Sequence, residues 1–129
     1  MELIPALRSL GIGLIPYSPL HAGLLAGMLE DLAEGRISDA STLARIEPHR
    51  DQLEAYEGLC RELGAKPVEV ALAWLLRNPV VSTTIVGATT IEELRSDLGA
   101  LSVQLDAEVV ERLDRIWPGP GEAPQAYAW

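Results

Sequence analysis

Ser18 and His21 stand three residues apart in Tyr17-Ser18-Pro19-Leu20-His21, and a hydroxyl beside an imidazole is the pairing that nucleophilic catalysis uses. A turn this short rarely aligns the two groups, and no acidic side chain is placed to orient the ring. Ser18 therefore reads as a residue that stabilises its own turn. His21 and His49 lie far apart in the sequence, without Cys or clustered carboxylates at ligand spacing, which argues against a metal site. Cys60 is the sole cysteine and falls on an apolar helical stripe, where it reads as a small buried hydrophobe. No catalytic residue and no metal ligand is assigned on these patterns.

Two strand-to-loop junctions carry more information. Ile12-Gly13-Leu14-Ile15-Pro16-Tyr17 is short, apolar and bounded by Gly and Pro, as a strand buried on both faces of a parallel sheet would be. Pro16 cannot donate to a ladder, so the strand ends there and Ser18-Pro19-Leu20-His21-Ala22-Gly23 follows as a loop. Val80–Val86 is a second β-rich run, ending at Gly87-Ala88-Thr89-Thr90. Thr90 and Glu93 then match a capping box, opening a helix whose N–H groups are able to hold an anion. The same residues equally fit a turn glycine and a simple cap.

The remaining elements follow from periodicity. Leu3, Ile4, Leu7 and Leu10 predict a helix closed by Gly11. Between Gly27 and Pro48 no strong period survives. This reads as a long excursion of the lid or mobile-segment kind, with a short helix near Leu29–Glu34. Leu53, Tyr56, Leu59, Cys60 and Leu63 restore a helical stripe closed by Gly64. Pro67 opens the next helix, with Val68, Ala71, Leu72, Leu75 and Leu76 on one side. Ile91, Leu94, Leu98 and Leu101 supply the apolar face of the helix after Thr90. Asp106 caps a last helix that buries Val109, Val110, Leu113, Ile116 and Trp117. Residues 118–129 are rich in Pro and Gly and read as an irregular tail, whose Tyr127 and Trp129 could line a pocket.

Strands alternating with helices predict a parallel α/β arrangement. Two parallel strands leave both edges unpaired, so the chain reads as missing strands. At 129 residues with 48% hydrophobic and 22% charged residues, it has the composition of an ordinary globular domain. A formal charge of −9, against Lys66 and nine scattered arginines, makes nucleic acid and anionic membranes poor partners. No apolar run approaches the roughly 20 residues of a spanning helix. With one cysteine no intrachain disulfide forms, and the cytoplasm is the expected compartment.

Gly11–Leu20, followed by Gly23-Leu24-Leu25-Ala26-Gly27, resembles the seventh strand and following loop of aldo-keto reductases. Val70–Leu76 resembles the helix before their eighth strand. Ile85–Leu94, continued through Asp97-Leu98-Gly99-Ala100-Leu101, resembles that strand with its nucleotide-binding loop and helix. The resemblance covers nearly the whole chain, with its separate motifs in the right order.

It implies an α/β fold that is the C-terminal part of a (β/α)₈ TIM-type barrel over residues 1–117, incomplete in this chain. It implies a carbonyl/alcohol oxidoreductase using NADP(H), with NAD(H) as the alternative cofactor. By position, Tyr17 would stack on the nicotinamide and Ser18, Pro19 and Leu20 would line the pyrophosphate. Gly87, Ala88, Thr89, Thr90, Glu93 and Asp97 would surround the adenosine end. Basic residues that commonly grip the 2′-phosphate are replaced here by Thr89 and Thr90, and the usual Gln and Asn by Glu93 and Asp97. The family's catalytic Asp, Tyr, Lys and His lie upstream of these motifs, so the chain reads as roughly the last two-fifths of such an enzyme, inactive by itself. Self-association or an N-terminal barrel half are the partners this implies. A non-catalytic dinucleotide-binding or interaction module, or a truncated remnant, are the alternatives.

Overall fold

Seven α-helices carry nearly all the regular structure in the computed structural model, which describes residues 3–119. Helix α1, Leu3–Leu10, ends where Gly11 takes φ of +64°. There the Ile12 N–H donates to the Leu7 carbonyl across 3.0 Å, and the Gly11 N–H to that of Arg8 across 3.3 Å. A left-handed residue closing a helix this way favours glycine, which has no Cβ to clash.

The two expected strands, 12–17 and 81–86, are reduced to one parallel bridge between Leu14 and Val81. The Leu14 N–H donates to the Val80 carbonyl at 2.7 Å, and the Ser82 N–H to that of Leu14 at 2.9 Å. The direction is the parallel one that the apolar runs suggest, but the ladder does not extend. Among the described residues neither segment has a second neighbour to pair with, and Pro16 lacks the donor that would continue the pairing. Contact at the bridge is close. A Cβ on Gly13 would collide with Ser82 Oγ.

The excursion from Gly27 to Pro48 is more ordered than its sequence suggests. Helix α2, Met28–Ala33, falls where a short helix is expected. Helix α3, Ala40–Ile46, and a 3₁₀ turn at Glu47–His49 are not foreseen. Asp39 starts α3: its carboxylate accepts the Ser41 hydroxyl at 2.6 Å and the Thr42 N–H at 2.9 Å. These bonds, the Ser41 hydroxyl first, hold the Asp39 carboxyl down at about 2. The segment is no loose lid, because Ile46 is fully buried with Leu24 and Leu53.

Helix α4, Arg50–Leu63, and α5, Pro67–Leu76, form the centre of the fold. The main core joins Tyr56, Leu59 and Cys60 of α4 to Val70 and Ala71 of α5. Val109 and Leu113 complete it from α7, Ala107–Ile116. Helix α7 starts at Asp106, whose carboxylate accepts the Val109 N–H at 2.9 Å. Trp117, just beyond its end, packs on the Leu24–Ile46–Leu53 cluster.

Helix α6, Ile91–Gly99, departs from expectation. Its periodic residues Ile91, Leu94 and Leu98, with Leu101 after it, are all exposed, Leu101 to 70%. Leu10, Ile12, Ile15 and Ile85 are exposed as well. The pattern that predicts burial is present, yet nothing among the described residues covers it.

Candidate functional site

The loop leaving the bridge through Tyr17 turns sharply. Ser18, His21 and Ala22 take φ of 54°, 50° and 52°, a left-handed conformation that costs a non-glycine residue of order 1 kcal/mol or more. Three such residues in five positions persist only when their surroundings hold them. Two contacts do so. Ser18 Oγ accepts the Ala22 N–H at 3.2 Å, which is the turn-stabilising role its position suggests. Arg45 Nη2, from the last turn of α3, donates to the Ala22 carbonyl at 2.7 Å. Beyond the turn, buried Leu24 pins the loop to the core.

The loop and the end of α3 enclose an open groove of about 580 Å³. Tyr17, Ser18, His21 and Ala22 make one wall, and Arg45, Pro48 and His49 the other. The Tyr17 ring is 86% exposed at its rim. His21 and His49, the chain's two histidines, meet edge to face with ring centroids 6.1 Å apart. His49 also packs against Trp117 at 5.7 Å, and its Nδ1 lies 3.2 Å from Gln52 Oε1. Gln52 Nε2 in turn donates to the Ile116 carbonyl at 2.8 Å. This cluster is hidden from sequence reasoning because α3 is. With no helix expected over 40–46, nothing turns Arg45 and His49 toward the Tyr17 loop.

The second junction has a different character. Gly87, Ala88, Thr89 and Thr90 are all exposed. Glu93 folds back on them: its Oε2 accepts the Thr89 N–H at 2.6 Å, the Thr89 hydroxyl at 2.9 Å and the Thr90 N–H at 3.3 Å. The Thr90 hydroxyl accepts the Glu93 N–H at 3.1 Å, completing the expected capping box. The donors on Thr89 hold the Glu93 carboxyl below its ordinary range. Burial, then repulsion from Glu93, raises that of Asp97. The N–H groups of Thr89 and Thr90, just before the helix, are thus already taken by this carboxylate. Since the bridge is parallel, the chain leaves Leu14 toward Tyr17 and Val81 toward Gly87 in the same direction. In sheets of this kind, ligands sit where strands run out at their C-terminal ends.

The aldo/keto reductase family model matches residues 1–118. The chain belongs to the aldo/keto reductase family. It is 48% identical to an uncharacterized oxidoreductase, YrpG, of Bacillus subtilis, over all of this chain and 40% of that protein. It is 34% identical to a probable aldo-keto reductase of Glycine max, over 91% of this chain and 35% of the relative. It is 32% identical to a putative voltage-gated potassium channel subunit beta of Schizosaccharomyces pombe, over 89% of the chain and 37% of that protein. The chain therefore spans about two-fifths of the length of these curated relatives. The family is one of oxidoreductases that use nicotinamide cofactors, and its fold is the (β/α)₈ barrel. No helix among the described residues is long and apolar enough to cross a membrane.

Proposed function

We propose that this chain is the C-terminal, cofactor-holding portion of an NAD(P)H-dependent aldo-keto reductase, with residues 1–117 forming a partial barrel. The observation that carries the reading is the parallel Leu14–Val81 bridge, from which both junctions run in one direction. In this reading Tyr17 offers its exposed face to the nicotinamide, and Ser18, Pro19 and Leu20 border the diphosphate. Gly87, Ala88, Thr89, Thr90, Glu93 and Asp97 border the adenosine end. When bound, the nicotinamide supplies the hydride. The chain's own residues hold and orient the cofactor, and none of them is proposed as the proton donor to the carbonyl oxygen.

The residues fit the two ends of a dinucleotide unequally. The groove at Tyr17 pairs an exposed ring with a cation, Arg45, which suits a nicotinamide and its phosphates. At the second junction Glu92, Glu93 and Asp97 favour a ribose hydroxyl over a 2′-phosphate, which would meet like charge. Titration with NADH and with NADPH, followed by tryptophan fluorescence, tests the reading. Saturable binding supports it, and no change at millimolar cofactor sinks it. Carbonyl-dependent cofactor oxidation by this chain alone would overturn the assignment of no proton donor.

A second reading, an interaction module, is favoured by the exposed apolar surface of Leu10, Ile12, Ile15, Ile85, Leu94 and Leu98. An N-terminal barrel half or a second copy of this chain is the partner such a surface suits. The cytoplasm is the compartment proposed, on the single unpaired cysteine.

A further inference from the structure

We propose that Arg45 is a binding residue for a phosphate or diphosphate group, and that the same guanidinium sets the shape of the loop that receives it. The inference deepens the cofactor reading and rests on it for the identity of the natural ligand.

Three observations lead there. The first is charge. The chain carries 19 acidic residues and a net −9, yet no carboxylate is among the eight residues lining the groove at Tyr17. What lines it instead is Arg45, both histidines, and the hydroxyls of Ser18 and Tyr17. Glu47, two positions beyond Arg45, is turned to Arg50, 3.0 Å away. An acidic protein that keeps one groove free of acids has a place where an anion is not repelled.

The second is the state of the guanidinium. None of the ion pairs among the described residues includes Arg45, whereas Arg36, Arg50, Arg77, Arg112 and Arg115 are each paired with a carboxylate. One Arg45 nitrogen is committed to the Ala22 carbonyl, and a guanidinium has five N–H donors in a planar fork. The remaining donors suit the oxygens of a phosphate, which such a fork is able to engage in pairs.

The third is backbone strain. The left-handed conformations of Ser18, His21 and Ala22 surround the carbonyl that Arg45 grips. Residues strained in this way cluster at binding and active sites. Here it places Ser18 and His21 on the groove wall facing Arg45 and His49.

The test uses the 129-residue chain, inorganic pyrophosphate, NADPH and NADH. The two histidines give two imidazole Hε1 resonances, both from the groove. Pyrophosphate is expected to move them saturably, with an affinity that falls as salt rises. Arg45→Gln is expected to weaken pyrophosphate binding about tenfold or more, the loss usual for a charge-assisted bond. Arg61→Gln, removing the same charge from an exposed site on α4, is expected to leave it unchanged. Histidine resonances of the unaltered chain that stay still under millimolar pyrophosphate would overturn the proposal, whatever the variant does. So would equal weakening by both substitutions.

The dinucleotide arm separates the two readings. If either dinucleotide binds but neither pyrophosphate nor Arg45→Gln has an effect, the anion site is wrong and the cofactor reading stands. If pyrophosphate binds through Arg45 and neither NADH nor NADPH binds, the anion site stands for a free phosphate and the cofactor reading falls.

Discussion

The buried carboxylate of Glu57, in the middle of α4, accepts the Leu29 N–H at 2.9 Å at the start of α2. Its second oxygen accepts the Glu30 N–H at 3.2 Å. One side chain thus satisfies two of the free donors at a helix start, where a negative charge is also favoured by the helix dipole. The Gly27–Pro48 excursion is tied to the core through this contact as well as through Ile46.

Replacing Glu57 by Ala strands two backbone N–H groups and removes the charge, and is expected to cost about 2 kcal/mol of stability. Glu57→Gln keeps an acceptor and is expected to cost roughly half as much. Urea unfolding of both variants checks the order. Equal stabilities for the two variants and the parent would show that α2 does not depend on this cap.

Gly13→Ala addresses the bridge. The new Cβ would stand where Ser82 Oγ now lies, so one segment must move away from the other. Amide exchange at Leu14 and Ser82, the two bridge donors, is expected to accelerate at least tenfold, while exchange along α4 stays unchanged. Gly13→Ala combined with Ser82→Ala is expected to restore part of the protection, because the clashing hydroxyl is gone.

Alkaline pH tests the main core. Burial pushes the Cys60 thiol up to about 12, and burial likewise raises the Tyr56 hydroxyl, which donates to the Pro67 carbonyl at 2.5 Å. Each group is more readily ionised in the unfolded chain, which therefore binds fewer protons once pH passes the ordinary thiol value near 9. Stability is then fully present below pH 9 and lost as pH rises toward 12. Thermal melts across that range are expected to show the decline, and Cys60→Ala to remove the thiol's share of it. Thiol reagents are expected to modify Cys60 only on unfolding.

Tyr17→Ala separates binding from folding. With its ring 86% exposed, Tyr17 contributes little to the core, and the variant is expected to melt within about 0.5 kcal/mol of the parent. Loss of an aromatic stack is expected to weaken nicotinamide dinucleotides about tenfold. A variant that binds cofactor as well as the parent would remove Tyr17 from the site.

Much of this molecule is readable from residue pattern because its helices announce their ends. Gly11 and Gly64 close α1 and α4 in left-handed turns, Thr90 with Glu93 opens α6, and Asp106 opens α7. The junctions at Tyr17–Leu20 and Gly87–Thr90 are also visible in local pattern, since each follows an apolar run, and their binding roles are what the family resemblance implies. What is not readable depends on contacts between distant parts. Helix α3 is only seven residues long, with Leu43 and Ile46 as its large apolar residues and a cap, Asp39, that resembles any loop aspartate, so Arg45 and His49 give no sign of facing Tyr17. The expected strands fail because a β pattern records what a segment is suited to pair with, not whether the pair is present. The apolar face of α6 is the same case: its periodicity is intact and its burial is not.

Cofactor preference is the last property that the charge pattern puts to the test. At the second junction Glu92 and Glu93 occupy the first turn of α6, and Asp97 follows one turn later. The Glu93 carboxylate already holds the Thr89 and Thr90 N–H groups and the Thr89 hydroxyl, so a 2′-phosphate there would find the Thr90 hydroxyl as a donor and nearby negative charge. NADH is therefore expected to bind at least as tightly as NADPH, with the gap narrowing as salt screens the repulsion. Glu92→Lys is expected to shift the ratio about tenfold toward NADPH, at a cost of about 0.5 kcal/mol from placing a cation at a helix start. Parallel titrations of both cofactors against parent and variant check this. A parent that favours NADPH tenfold or more would show that the phosphate is held elsewhere in the molecule.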